Sequence, residues 1–135
     1  MTHTTDYCAA VVAKTSRLHA LGLDAERERT LDPELLQMIC TARERSALAQ
    51  CHNSARDAII YFSAKEAFYK CQYPLTRMYL DFLDVELDID FDHGTYQARV
   101  IKHIVGKPEW FDSTSGRFSR NNGLVLCGSE LRPPP

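Results

Sequence analysis

No stretch of this chain approaches the ~20 consecutive apolar residues that a membrane-spanning helix needs. Nor is one sign of charge in excess. Sixteen Lys and Arg stand against 18 Asp and Glu, a net of −2, which removes the bulk electrostatic basis for holding nucleic acid or an anionic membrane. Cysteine is sparse and ill-spaced: Cys8, Cys40, Cys51, Cys71 and Cys127 are odd in number, far apart and contain no C-x-x-C pair. That argues against a disulfide framework or a zinc site and suits a reducing cytosol, with the thiols read as small buried apolar groups. The five histidines form no H-x₃₋₅-H pair, and the opening MTHTTDYCAAVVAK lacks the basic leader and long apolar stretch of a secretory signal. There is no internal repeat and no low-complexity linker.

What is there is one ordinary globular domain. At 135 residues the chain is long enough to bury a core, and 44% hydrophobic with 25% charged residues is the balance that such a core and its surface require. Residues 7–13 (YCAAVVA) predict a buried strand and 17–24 (RLHALGLD) a second one ending at Asp24, close enough for a hairpin. Asp32 followed by Pro33 is a helix start, and residues 41–51 continue as helix. Residues 54–71 read as the principal helix, with Ser54 and Asp57 as a capping arrangement and Ala58, Ile59, Phe62 and Ala67 on its buried side. Pro74 should end that helix. Residues 82–91 alternate Val85, Leu87, Ile89 and Phe91 with acids, a half-buried strand that turns at 92–94 and returns over 95–105. Residues 106–123 read as turns, 123–131 as a last strand, and 132–135 as a disordered tail. The class is α+β, a small sheet with one long central helix.

Two charged clusters invite a chemical reading. Glu66 and Lys70 lie four apart on the helix and share a face. Asp24 and Glu26 lie two apart and project to one side of an extended chain. Separately each has a plain account: a surface pair worth ~0.3–0.5 kcal/mol, and solvated turn acids beside Arg27 and Arg29. Together, three carboxylates and an ammonium suit a metal-bound pyrophosphate, because a hard divalent cation takes oxygen ligands and bridges phosphate oxygens.

The segment FSAKEAFYK (62–70) resembles the [WF]-[SC]-x-K-E-[AS]-x-x-K signature of the 4′-phosphopantetheinyl transferase superfamily. LGLDAE, upstream, resembles that family's G-[IVL]-D-x-E motif, and THTTDYCAAVVA its S/T-H element and following strand. CQYPLTR, LDFLDVELDI and GRFSRNNGLVLCG resemble the enterobactin-synthetase and surfactin-type branch, so the likeness runs from Thr2 to about Cys127. It implies one of two pseudo-symmetric α+β halves, each a small antiparallel sheet packed on a long central helix. Residues 1–131 would form the C-terminal half together with the last strand of the first half, whose remainder is absent. It also implies Mg²⁺ held by Asp24, Glu26 and Glu66, with Glu66 also the base for the acceptor serine. Lys70 would act on the phosphates of coenzyme A, Lys65 would support the cofactor site, and Thr2 and His3 would sit near the 3′-phosphate. The partner would be an acyl or peptidyl carrier protein of siderophore, polyketide or nonribosomal peptide biosynthesis, in the cytoplasm. The alternative is an inactive truncated remnant or an oligomerising binding module without turnover, and self-association would run through the exposed half-domain face.

Overall fold

The computed structural model of the chain describes residues 1–133 and is α+β. In chain order its elements are β1 (Thr2–His3), β2 (Cys8–Ala9), β3 (Ala20–Arg27), α1 (Pro33–Ile39), α2 (Ala42–Ala49), α3 (Ser54–Thr76), β4 (Val85–Asp90), β5 (Thr95–Val100), β6 (Thr114–Asn121) and β7 (Leu124–Leu131). Five of the strands form one antiparallel sheet in the order β3-β7-β6-β5-β4, and α3 lies across one face of it, chiefly over β3 and β7. Ile59, Ile60, Ala64 and Phe68 of α3 meet Ala98, Val125 and Cys127 of the sheet to make the core. Among the described residues no helix is long and apolar enough to cross a membrane.

Helix starts follow local chemistry. Asp32 caps α1 by accepting from Leu35 N at 2.9 Å, with Pro33 in the first turn, where a missing N–H costs nothing. Thr41 and Glu44 cap α2 reciprocally, each side chain taking the other's backbone N–H. The cap of α3 is Asn53, not Ser54: its side chain accepts from Arg56 N, and Ser54 is already helical. Nor does Pro74 stop the helix. It falls in the last turn, where little of the ladder remains to be lost, and the chain leaves only at Arg77, in the left-handed region at φ 56°.

Three further expectations are corrected. Only Cys8–Ala9 of residues 7–13 is strand, paired with β1, and there is no hairpin to 17–24. The chain turns instead at Lys14, and β3 begins later and pairs with β7 over its whole length. The returning strand stops at Val100, well short of residue 105. Finally, the segment expected to be turns contains β6, an interior strand of the sheet. Its polar sequence suffices because Gly116 leaves room for the Tyr96 ring, which crosses it to reach Ser129 at 2.7 Å. Of the expected tail, Arg132 and Pro133 follow β7 without helix or strand, and residues 134–135 lie outside the described residues.

Candidate active site

The site is set by how closely α3 approaches β3. A side chain at Gly22 would place its Cβ 2.1 Å from the Ala67 carbonyl oxygen and 2.6 Å from Cys71 N, so only glycine allows the helix backbone to lie this near. Gly22 therefore faces α3, and by the two-residue period of the strand Asp24 and Glu26 face it too. Because β3 runs to Arg27 rather than ending at Asp24, both acids are held by the β7 ladder. From the helix, Ser63, Glu66 and Lys70 answer at spacings of three and four, one face of α3.

Asp24 is the centre of the cluster and is 4% exposed. Its Oδ2 accepts from Ser63 Oγ at 2.9 Å and its Oδ1 from Lys70 Nζ at 2.9 Å, while Lys70 also reaches the Leu23 carbonyl at 3.2 Å. Glu26 and Glu66 are half-buried beside it. Burial pushes the Glu26 carboxyl above the ordinary range and the Asp24 charge adds to this, against the pull of Arg29 at 3.2 Å. Glu66 is raised by burial and then by Asp24, with Lys70 offsetting part. Asp24 thus holds Lys70 with Glu66 close enough to feel both, while Glu26 lies beside Asp24 and pairs with Arg29.

The remaining expected residues lie at different distances from this group. Thr2 is buried, and its Oγ1 accepts from Ala25 N at 3.0 Å, fixing β1 against the edge of β3 between the two acids. His3, next along β1, is exposed. Lys65 is not brought to Asp24. Its ammonium is buried on another side of α3, on Glu44 Oε1 and the Ile39 carbonyl at 2.7 Å each and on the Phe82 carbonyl at 2.9 Å. Beside Glu66 opens a cavity of about 200 Å³ walled by Lys65, Phe68 and Tyr69 on one side and by Tyr79, Leu80, Asp81, Phe82 and Val85 on the other.

Residues 20–121, which carry both acidic motifs, match the family described as the 4′-phosphopantetheinyl transferase superfamily. The chain belongs to that superfamily. It is 35% identical to the 4′-phosphopantetheinyl transferase Svp of Streptomyces mobaraensis over 99% of this chain and 56% of the relative. Against the 4′-phosphopantetheinyl transferase PptT of Mycobacterium tuberculosis it is 32% identical over 97% of the chain and 60% of the relative. With the 4′-phosphopantetheinyl transferase Npt of Nocardia iowensis, 33% identity covers 70% of the chain and 43% of the relative. The chain therefore spans little more than half the length of the first two.

For a superfamily member whose motifs imply a divalent cation, the fit of the site rests on donor chemistry. Among the described residues no three His, Cys, Asp or Glu side chains converge as a ready metal-binding group, and both oxygens of Asp24 are engaged by Ser63 and Lys70. Yet the donors are all carboxylate oxygens, the set a hard cation takes. Burial first and the Asp24 charge second hold the Glu26 and Glu66 carboxyls above the ordinary range, so ionising all three acids together is costly without a cation. In donor type the residues fit such an ion, and Asp24 would have to be released by Lys70 to take part. Sequence reasoning passed over two contributors. Ser63 was inside the quoted signature, three residues before Glu66, and the spacing that pairs Glu66 with Lys70 could have placed it on the same face. Glu44 was detectable as the fourth residue of Thr41-x-x-Glu44, a capping box.

Proposed function

We propose that the chain carries the catalytic carboxylates of a 4′-phosphopantetheinyl transferase, which moves the phosphopantetheine arm of coenzyme A onto a serine of an acyl or peptidyl carrier protein. The observation that carries this reading is the convergence of Glu66 and Lys70 from α3 on Asp24 of β3, with Glu26 beside it. Asp24, Glu26 and Glu66 would hold Mg²⁺, which when bound supplies charge stabilisation on the pyrophosphate. Lys70, 34% exposed at its side chain, is the group able to turn from Asp24 to a phosphate oxygen. Glu66 takes the proton as the serine oxygen bonds to the β-phosphorus, and the bond from that phosphorus to the oxygen of the departing adenosine 3′,5′-bisphosphate breaks. The cavity next to Glu66 lies where the arm can extend, its aromatic and aliphatic walls matched to a chain of methylenes and amides. Thr2 and His3, on the strand that borders β3, would face the 3′-phosphate.

The resemblance favours a cytosolic role in siderophore, polyketide or nonribosomal peptide biosynthesis. Self-association is supported by the sheet face away from α3. There Val11 and Val12 (92% exposed) border, with Leu21 and Leu23, an open groove of about 600 Å³.

The test is transfer from a fluorescent coenzyme A to an apo carrier protein with Mg²⁺ present. Labelling should occur on the carrier's serine and fall by about a hundredfold or more in Asp24→Ala and Glu66→Gln. Labelling that survives both substitutions refutes the assigned roles, and release of bisphosphate without any carrier would indicate a hydrolase.

A further inference from the structure

Lys65 spends all three of its ammonium protons inside the protein, on Glu44, Ile39 and Phe82. Its side chain is 2% exposed and that of Glu44 is 1% exposed. Glu44 is equally committed: Oε1 also accepts from Thr41 N at 2.8 Å, and Oε2 from Leu87 N at 2.8 Å. One ion pair thus joins the end of α1, the start of α2, the middle of α3, the turn at Phe82–Asp84 and strand β4. Within that set the Phe82 contact matters most for the site. Residues 79–85 form one wall of the cavity beside Glu66, α3 forms the other, and the Lys65–Phe82 hydrogen bond links the two walls, seconded by the stacking of Phe82 on Phe62 at 5.5 Å.

We infer that the Lys65–Glu44 pair is the positioning device of this cavity: it fixes segment 79–85 against α3, so that Lys65, although its stem borders the cavity, acts on a bound arm through where it holds that segment. The identity of the ligand rests on the transferase reading above; the positioning itself does not. A buried ion pair contributes little net stability over a packed apolar pair, whereas its directional bonds define where Phe82 sits. Position is therefore what its removal should disturb.

The test uses the double substitution Lys65→Met with Glu44→Leu, which leaves no unpaired charge, and compares coenzyme A with adenosine 3′,5′-bisphosphate, which lacks the arm. If the wall is then in place about a tenth of the time, coenzyme A affinity falls about tenfold while the bisphosphate changes less than about twofold. Hydrogen exchange should rise at 79–85 and 39–44 but not along β6 and β7. Equal loss of both ligands, as a direct phosphate contact by Lys65 would give, overturns the inference, and so does no loss of either. If the double variant does not fold, Lys65→Arg decides. Its planar guanidinium keeps Glu44 without reaching both carbonyls, so the same selective loss is expected in smaller degree. Should the wild-type chain bind neither ligand, the transferase reading fails. Exchange at 79–85 then judges the positioning alone: a local rise supports it and an unchanged pattern refutes it.

Discussion

Gly22→Ala isolates the contact on which the site's geometry depends. Gly22 is not in the left-handed region, so by backbone entropy alone alanine should stabilise the chain by about 0.4–1 kcal/mol. Sterics oppose this. The new Cβ would stand 2.1 Å from Ala67 O and 2.6 Å from Cys71 N, where ordinary contact begins at 3.4 Å. Those are backbone atoms of a helix and no side-chain rotation relieves them, so α3 must withdraw from β3. Overpacking of this kind costs roughly 3 kcal/mol, at the upper end of its usual range, leaving a net loss of about 2 kcal/mol. For a chain of 135 residues that lowers Tm by roughly 6–10 °C. Urea unfolding followed by circular dichroism measures it. The same withdrawal would part Lys70 and Ser63 from Asp24, so coenzyme A binding should weaken even well below the unfolding midpoint. A change in stability smaller than about 0.5 kcal/mol, of either sign, would refute the close packing of α3 on Gly22.

Glu66→Gln should stabilise the fold at pH 7 while removing function, a trade expected where like charges are held together for chemistry. The sign follows from the raised carboxyl: the folded state holds that proton more tightly, so the cost of ionisation is absent below the ordinary value of 4.5 and grows as pH rises through the folded value. Melting curves from pH 4 to 8 should therefore show the variant's advantage vanish at the acid end. Ser63→Ala should cost roughly 1.5–3 kcal/mol in urea, the worth of a buried hydrogen bond to a charged group, and a neutral result would mean that Ser63 does not hold Asp24. A maleimide should label Cys8, which is exposed, in the native chain. It should spare Cys40, Cys71 and Cys127, buried thiols each pushed up to about 12, until denaturant is added; early labelling of Cys127 would contradict the packing of α3 on β7.

Where the sequence was legible, a short-range rule sufficed. Asp24 and Glu26 fall on one side because strand period is two, and Glu66 pairs with Lys70 because helix period is 3.6. Capping at Asp32 and the alternation from Val85 to Ile89 were readable for the same reason. Three-dimensional partners were not. The KE pair looks like one feature, yet adjacent helical residues point about 100° apart, and that angle sends Glu66 to the acids and Lys65 to Glu44. Residues 7–13 have the β-branched composition of a strand, but only Cys8–Ala9 finds a ladder partner, the two-residue β1. Strand β6 was invisible for the opposite reason. Its core side is filled by Tyr96 from β5 lying over Gly116, so its own residues need not be apolar.

Central to the proposed function is that Asp24, Glu26, Glu66 and Lys70 act as one cation and pyrophosphate site. Calorimetric titration of coenzyme A into the chain, with and without Mg²⁺, tests that most directly. Binding should require Mg²⁺, be lost in Asp24→Asn and Glu66→Gln, and persist more weakly in Lys70→Met, which keeps the oxygen ligands but lacks the phosphate contact. Binding of equal strength without Mg²⁺, or undiminished by loss of either carboxylate, would contradict it.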